Sequence, residues 1–95
     1  MILVRDVFQA KYGKGEKLVA LFKEGLTTWG EHINMRILTD ASGSFFTVVT
    51  EEEIENFSAW EKNLSDILSH PDFGDWFARM EPLVVSGSRE FYNIE

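Results

Sequence analysis

The spacing of apolar residues along the chain changes several times, and each change predicts a new element. Apolar and β-branched residues dominate 2–11 and stop at the glycine-containing turn 12–15, which is typical of a strand followed by a turn. From Glu16 onward the apolar positions recur every three or four residues as far as Trp29, which predicts an amphipathic helix. Gly30 follows directly and is expected to end this helix.

A hairpin and a second helix are predicted next. Residues 32–39 and 44–50 favour two strands joined by the turn 40–43. Thr50 lies three residues before Glu53, which is the spacing of a capping box, so the second helix is expected to begin directly after Thr50. The run of three glutamates at this point suits the positive end of a helix dipole.

The last part of the chain contains two proline breaks. Pro71 is expected to end the second helix, after which Asp72 can cap a short further helical segment that ends at Pro82. Residues 83–94 then favour a final strand, with a bulge or bend at 86–88.

The predicted order of elements is therefore βαββαβ. In this order four strands form one antiparallel sheet with two helices on one face, which is the ferredoxin-like arrangement of the α+β class. A chain of 95 residues has the length of one domain, so we expect residues 1–95 to form a single unit.

Strand alternation also predicts that the second face of the sheet is not fully polar. In the first strand, Asp6 and Phe8 belong to the row expected to face the helices. The opposite rows still contain several apolar side chains, namely Leu3, Val7, Leu38, Phe45 and Val49. That is more apolar surface than a soluble monomer usually exposes. We therefore expect a homodimer in which two sheets pack face to face and close an eight-stranded barrel.

Three stretches of the sequence resemble dimeric α+β barrel proteins. The first is AKYGK at 10–14, where these proteins usually have Lys-Pro-Gly-Lys and Tyr12 takes the place of the proline. The second is FSAW at 57–60, which is similar to the Phe-x-x-Trp of their second helix, and the third is the closing segment 81–94. The nearest relatives by this resemblance are NIPSNAP-like proteins and antibiotic biosynthesis monooxygenases. The resemblance implies the dimeric barrel, in a superfamily that spans oxygenases, isomerases and proteins of unknown role.

Haem-degrading monooxygenases of the same superfamily share one further feature with this chain. They have an Asn on the first strand, a Trp on the second helix and a His further along. Trp60 and His70 match the last two positions, but Asp6 stands where the Asn would be, and a carboxylate cannot donate the hydrogen bond that an amide donates. We therefore expect no cofactor, with haem as the less favoured alternative. The resemblance also implies cofactor-independent oxygenation of an aromatic substrate in a pocket that excludes water.

We expect the ligand site between the sheet and the second helix. Five residues are predicted to line it: Asp6, Phe8, Phe46, Trp60 and His70. Asp6 interrupts an apolar row, so it is either a general base in a dry pocket or the partner of a Lys or Arg. The aromatic residues either line a ligand cleft or form ordinary core. The sequence assigns no catalytic residue.

A second candidate surface lies on the opposite rows of the strands. Polar side chains cluster there: Arg5, Gln9, His32, Asn34 and Arg36. They either line the barrel interior and bind an anionic substrate, or they form a solvated row, because the second strand lies at the edge of the sheet in this topology.

Composition narrows the function classes. Sixteen Asp and Glu against nine Lys and Arg give a net charge of −7, which disfavours binding to nucleic acid and to anionic membranes. The chain has no Cys and two widely separated His, so no metal site is expected. The start of the chain does not resemble a signal peptide, and a cytoplasmic location is expected.

Together these observations predict a small dimeric α+β barrel protein that binds a small hydrophobic or aromatic molecule. A cofactor-independent monooxygenase is the more specific hypothesis. The alternative is a non-catalytic module, NIPSNAP-like or stress-related, that binds or interacts without chemistry.

Overall fold

The computed structural model describes residues 1–30 and 33–95, and the order of its elements confirms the βαββαβ prediction. The strands and helices have the following bounds: β1 Ile2–Ala10, α1 Gly15–Thr28, β2 Met35–Thr39, β3 Thr47–Ile54, α2 Phe57–Leu68, α3 Phe73–Met80 and β4 Val84–Asn93. A single 3₁₀ turn, Glu81–Leu83, leads from α3 into β4.

The four strands form one antiparallel sheet in the order β2-β3-β1-β4, which confirms the ferredoxin-like topology. β1 and β3 are central, and β2 and β4 are the edges. Asp6 in β1 lies opposite Thr50 of β3 and Arg89 of β4. This register places one residue from each of three strands in a row across the middle of the sheet.

The apolar row of β1 faces the helices, as its alternation predicts, but Asp6 divides the core into two clusters. One cluster surrounds Leu18 and Val48, both fully buried, and includes Ala10 at the end of β1. The other surrounds Ile2 and Val4 at the start of β1. The helices therefore contact the sheet mainly at its two ends, and a polar position lies between them.

The boundary between β3 and α2 differs from the prediction. Glu51 does not start a helix, because β3 continues to Ile54 and pairs with β1 along its whole length. The nine residues of β1 need partners on β3, and this long-range pairing overrides the local capping-box signal at Thr50. The cap of α2 is Asn56, whose side chain accepts a hydrogen bond of 2.8 Å from the backbone N–H of Ala59.

The break predicted at Pro71 is confirmed, because α2 and α3 are separate helices. Asp72 precedes α3 as expected, but its side chain makes no capping hydrogen bond. Of the bulge or bend predicted at 86–88, the structure has an irregularity of the bulge type at Ser86. β4 is continuous, with one register shift where Gln9 and Ala10 pair with Ser86 and Val84. No helix of the described ranges has the length and apolar content needed to cross a bilayer.

Candidate functional site

A cleft of about 290 Å³ lies between the two core clusters. Its floor is the middle of the sheet, and its walls come from all three helices. The floor includes Asp6, Phe8, Thr50 and Arg89. The walls include Phe22, Gly25, Leu26, Trp29, Leu64, Ile67, Leu68, Phe73, Trp76, Phe77 and Met80. With the exception of Asp6 and Arg89, the described side chains that line this cleft are uncharged, and most are apolar.

One wall of the cleft is a set of aromatic rings held in fixed positions. The Trp76 indole N–H donates a hydrogen bond of 2.8 Å to the carbonyl oxygen of Leu21, so the ring is tied to α1 without any ligand. The Trp29 ring meets that of Trp76 edge to face at 5.3 Å. Gly25 allows this contact, because a Cβ atom there would lie 3.1 Å from the Trp29 ring and 3.2 Å from the Trp76 nitrogen.

The polar floor of the cleft is an ion pair. The Asp6 carboxylate accepts two hydrogen bonds from the Arg89 guanidinium, at 2.7 and 3.1 Å. The Asp6 side chain is 17% exposed and that of Arg89 is 40% exposed, so the pair is sheltered but reached by solvent from one side. The hydrogen bonds with Asp6 raise the pKa of Arg89, although partial burial acts in the opposite direction. The guanidinium therefore stays charged at any physiological pH.

Trp60 supports this ion pair from behind. The Arg89 guanidinium carbon lies 5.0 Å from the centre of the Trp60 ring, which is the geometry of a cation–π contact. Trp60 in turn packs edge to face against Phe91 at 5.0 Å. Gly87, two residues before Arg89, lies against Phe8, and a Cβ atom there would be 3.2 Å from the Phe8 ring.

The five predicted lining residues are not all in one place. The structure brings Asp6 and Phe8 together on the floor of the cleft. Trp60 lies outside the lining and contacts Arg89 of the floor through its ring. The interpretation of Asp6 as the partner of a basic residue matches its contacts with Arg89, whereas a free carboxylate does not.

His70 and Phe46 lie away from the floor. His70 is at the junction of α2 and α3, where Nδ1 accepts a hydrogen bond of 3.1 Å from the backbone N–H of Asp72, and its ring centre is 5.6 Å from that of Trp29. Phe46 lies in the turn before β3, with a left-handed φ of 60°, and lines a separate and more open depression near Gly15. Such a φ is rare for a bulky residue, and it presses the Phe46 ring towards Gly15.

Sequence reasoning missed Arg89, the partner of Asp6. A signal for it was present, because β4 pairs with β1 in a βαββαβ fold and Arg89 is the basic residue of the predicted last strand. An acidic residue in the inward row of β1 therefore favours a basic residue at the facing position of β4.

The second predicted surface lies on the face of the sheet opposite the helices, which we call the open face. Glu51 is at its centre, only 4% exposed, and accepts hydrogen bonds from Arg5, at 3.0 Å, and from Arg36. Arg5 also lies 3.5 Å from Glu90 of β4. Tyr92 donates a hydrogen bond of 2.9 Å to Glu90, which raises the pKa of the Tyr92 hydroxyl. The arginines of this face are thus paired with carboxylates.

The remaining residues of that surface have different positions. The Gln9 amide donates a hydrogen bond of 2.6 Å to the carbonyl oxygen of Phe45 and so ties the end of β1 to the turn before β3. Asn34 is exposed and precedes β2, whereas His32 lies outside the described residues.

The residues that match haem-degrading monooxygenases do not come together in the cleft. Asp6 is occupied by Arg89, and His70 is not among the residues that line the cleft. Within the described ranges, no three His, Cys, Asp or Glu side chains lie close enough together to hold a metal ion.

Comparison with known proteins shows the fold. No protein family matches the sequence, and no curated protein matches it either. Solved structures do match. An uncharacterized NIPSNAP domain protein from Burkholderia xenovorans superposes with a TM-score of 0.90 at 16% identity, covering 100% of this chain and 95% of that one.

Two structures named as oxygenases also match. A putative antibiotic biosynthesis monooxygenase from Chloroflexus aurantiacus has a TM-score of 0.72 at 16% identity, covering 96% of this chain and 89% of that one. SnoaB, a cofactor-independent oxygenase from Streptomyces nogalater, has a TM-score of 0.71 at 10% identity, covering 99% and 92%. The predicted resemblance to NIPSNAP-like proteins and antibiotic biosynthesis monooxygenases is confirmed at the level of fold.

Proposed function

We propose that the chain binds a small, largely apolar molecule in the cleft between its two core clusters. The observation that carries this proposal is the pairing of Asp6 with Arg89 on the floor of an otherwise uncharged cleft. Ligand sites typically combine apolar walls with a few fixed polar groups, and their volumes start at about 300 Å³. A cleft of about 290 Å³ therefore suits a ligand of one or two rings.

The ion pair gives such a ligand one polar anchor. The Arg89 guanidinium has five N–H donors, and the two contacts with Asp6 leave others for a ligand oxygen. The Asp6 carboxylate likewise retains lone pairs that can accept a hydrogen bond. A ligand with one oxygen at its edge would lie with that oxygen over the pair and with its ring against Trp29 and Trp76.

As the more specific activity, we propose cofactor-independent oxygenation of an electron-rich aromatic molecule by O₂. The names of two neighbours of the same fold, including SnoaB, support this reaction class. In this chemistry the apolar walls would exclude water, and Arg89 would stabilise negative charge that develops on the substrate oxygen.

A non-catalytic binding module is the second candidate, and a specific observation favours it. Both oxygens of Asp6 are engaged by Arg89, and no other carboxylate or histidine of the described ranges lines the cleft. Among the described residues, the cleft therefore offers no carboxylate or imidazole without a guanidinium partner. A module of this kind would hold the same ligand class without converting it.

We also propose that two copies pack through their open faces. Val49 is already covered within one chain, but Leu38 remains exposed on this side. A shallow depression of about 520 Å³, lined in part by Val7 and Leu38, runs along the same face. Sedimentation at micromolar concentration tests this proposal, since a particle of 10.9 kDa would contradict it.

The binding proposal is tested by thermal shift with one- and two-ring aromatic compounds, such as indole and 2-naphthol. Ligand at ten times its dissociation constant stabilises the folded state by about 1.4 kcal/mol, which is a shift of several degrees for a domain of this size. Ile67→Trp adds bulk to the cleft wall and should weaken the shift, whereas Ile94→Trp adds the same bulk at an exposed site outside the cleft and should keep it. No shift with any compound would contradict the proposal.

The catalytic hypothesis needs a separate measurement. Oxygen consumption with a compound that binds would support it, and loss of that consumption in Arg89→Gln with binding retained would assign the role of Arg89. A ligand that binds tightly without oxygen uptake would favour the non-catalytic module.

A further inference from the structure

We propose that one end of the molecule, which we call the tip patch, docks onto an anionic membrane surface. The tip patch consists of Lys11, Tyr12, Lys14, Lys17 and Phe45. It lies beyond the end of β1 and before the start of β3, at the beginning of α1. This inference is independent of the ligand proposed for the cleft.

The charge of this end differs from that of the whole chain. Four of the five lysines lie in 11–23, together with the single acidic residue Glu16, so this segment has a net charge of +3 in a chain of −7. At physiological ionic strength the Debye length is about 8 Å, and the molecule extends 35 Å along its longer axes. Carboxylates at the far end are therefore screened from a surface that touches the tip patch. Asp40 and Glu81, which the fold brings to this end, lower the local excess from +3 to +1.

The lysines of this segment are also unpaired, which distinguishes them from the arginines. All four arginines form ion pairs with carboxylates, namely Arg5, Arg36, Arg79 and Arg89. Within 1–30 and 33–95, no ion pair involves Lys11, Lys14, Lys17 or Lys23. The arginines are thus neutralised by carboxylates within the fold, whereas these lysines keep their charge available for contact with another molecule.

Two large aromatic side chains project from the same end. Tyr12 is 81% exposed and Phe45 is 70% exposed, and their ring centres are 6.4 Å apart. The Tyr12 ring also meets the ring of Phe46 edge to face at 4.9 Å. Gln9 fixes the position of Phe45 through the hydrogen bond to its carbonyl oxygen. The exposed aromatics are thus presented by an ordered turn.

An anionic lipid surface matches this combination. Lysines attract anionic headgroups over a short range, while aromatic side chains insert at the level between headgroups and acyl chains. Neither the lysine charges nor the aromatic side chains alone give stable attachment, but together they give reversible docking. The net charge of the chain disfavours membrane binding only if the charge is evenly distributed. The fold instead concentrates the lysines at one end.

The test is co-sedimentation with vesicles of phosphatidylcholine, with and without phosphatidylglycerol. We expect binding only to the vesicles that contain phosphatidylglycerol, and release at about 1 M ionic strength, where the Debye length is about 3 Å. Reversal of Lys11, Lys14 and Lys17 to Glu should lower partitioning by at least about a hundredfold, because each lysine contributes separately. The matched comparison uses single variants. Lys11→Glu should lower binding several-fold, whereas Lys62→Glu reverses a lysine outside the tip patch and should bind as the unaltered chain does.

A second variant separates lipid docking from simple charge attraction. Tyr12→Ser combined with Phe45→Ser keeps every charge and should lower vesicle binding by about tenfold through lost apolar insertion. Both aromatics are exposed, so folding is expected to persist, and circular dichroism checks it. The proposal is overturned if the unaltered chain does not bind anionic vesicles at low salt. It is also overturned if Lys62→Glu lowers binding as much as reversal of a lysine in the tip patch. It is also overturned if poly-glutamate is bound in preference to vesicles, which would indicate an acidic protein partner.

Discussion

The two faces of the sheet use the same pair of groups, a carboxylate and a guanidinium, in opposite ways. On the side of the helices the pair of Asp6 and Arg89 lies among aromatic walls and interrupts an apolar core. On the open face Glu51 lies between two arginines and belongs to a polar row that crosses the strands. The comparison indicates that the helix side depends mainly on apolar packing around one ion pair, whereas the open face depends on charge balance.

The largest expected difference comes from aromatic residues of similar size on the two sides. Phe22→Ala removes a buried ring next to Trp76 and should destabilise the fold by about 3 to 5 kcal/mol. Tyr92→Ala removes a half-exposed ring from the open face and should cost about 1 kcal/mol or less. Urea unfolding of the two variants gives both values. Equal losses would mean that the two faces do not differ in packing.

The two ion pairs should differ in coupling energy. A double-mutant cycle of Asp6→Asn and Arg89→Gln should give about 1 to 2 kcal/mol, reduced from the value of a buried pair because Arg89 is partly exposed. The corresponding cycle of Glu51→Gln and Arg36→Gln should give about 0.5 kcal/mol, because Arg36 is mostly exposed and Arg5 still balances the site. A larger coupling energy for the Glu51 pair than for the Asp6 pair would contradict this difference between the two carboxylates.

The helices that cover the cleft differ in packing density, as one glycine in α1 and one in α3 show. Gly25→Ala places a methyl group against Trp29 and Trp76 and should destabilise by about 1 kcal/mol, despite the better helix propensity of alanine. Gly74→Ala in α3 meets no atom within 4 Å and should stabilise by a few tenths of a kcal/mol up to about 1 kcal/mol. Thermal unfolding of the pair measures the difference. Stabilisation by both changes would indicate that the cleft wall is loosely packed.

The smallest effect concerns the pH dependence of the open face. The hydrogen bond to Glu90 raises the pKa of Tyr92 above its ordinary value of 10.0. The stability it contributes is therefore complete below pH 10 and is lost as the pH rises through the folded-state pKa. Tyr12→Phe leaves Tyr92 as the one tyrosine of the chain, so its absorbance titration is unambiguous. The midpoint should lie above 10 and should fall when Glu90→Gln is added, whereas an unchanged midpoint would contradict the assignment.

The parts of the fold that alternation determines could be predicted from the sequence. The inward row of β1 and the break at Asp6 follow from a period of two, and the α2–α3 break follows from Pro71. The end of β3 could not be predicted in this way, because Thr50 and Glu53 form a convincing local cap, while strand pairing with β1 extends β3 to Ile54. Local signals specify an element, but long-range pairing sets its length.

The candidate site was predictable only in part, for a related reason. Asp6 and Phe8 lie on the floor because they are on one strand, where parity is sufficient. Arg89 could be found only from the register of β4 against β1. Trp60 and Phe46 were expected to line the cleft, but Trp60 packs on the core cluster around Ile2 and Val4, and Phe46 lies in a left-handed turn beside Gly15. Side-chain direction at helix and loop positions depends on packing that a one-dimensional pattern does not contain.

The α2 helix is less buried than α1, and this difference affects how a molecule would enter the cleft. None of the residues of α2 is fully buried, whereas α1 contributes five buried positions. Hydrogen exchange should therefore be much faster in α2 than in α1, because less apolar contact opposes its opening. A ligand would then enter the cleft during brief detachment of α2 from the sheet, while the core cluster around Leu18 keeps the rest of the fold intact.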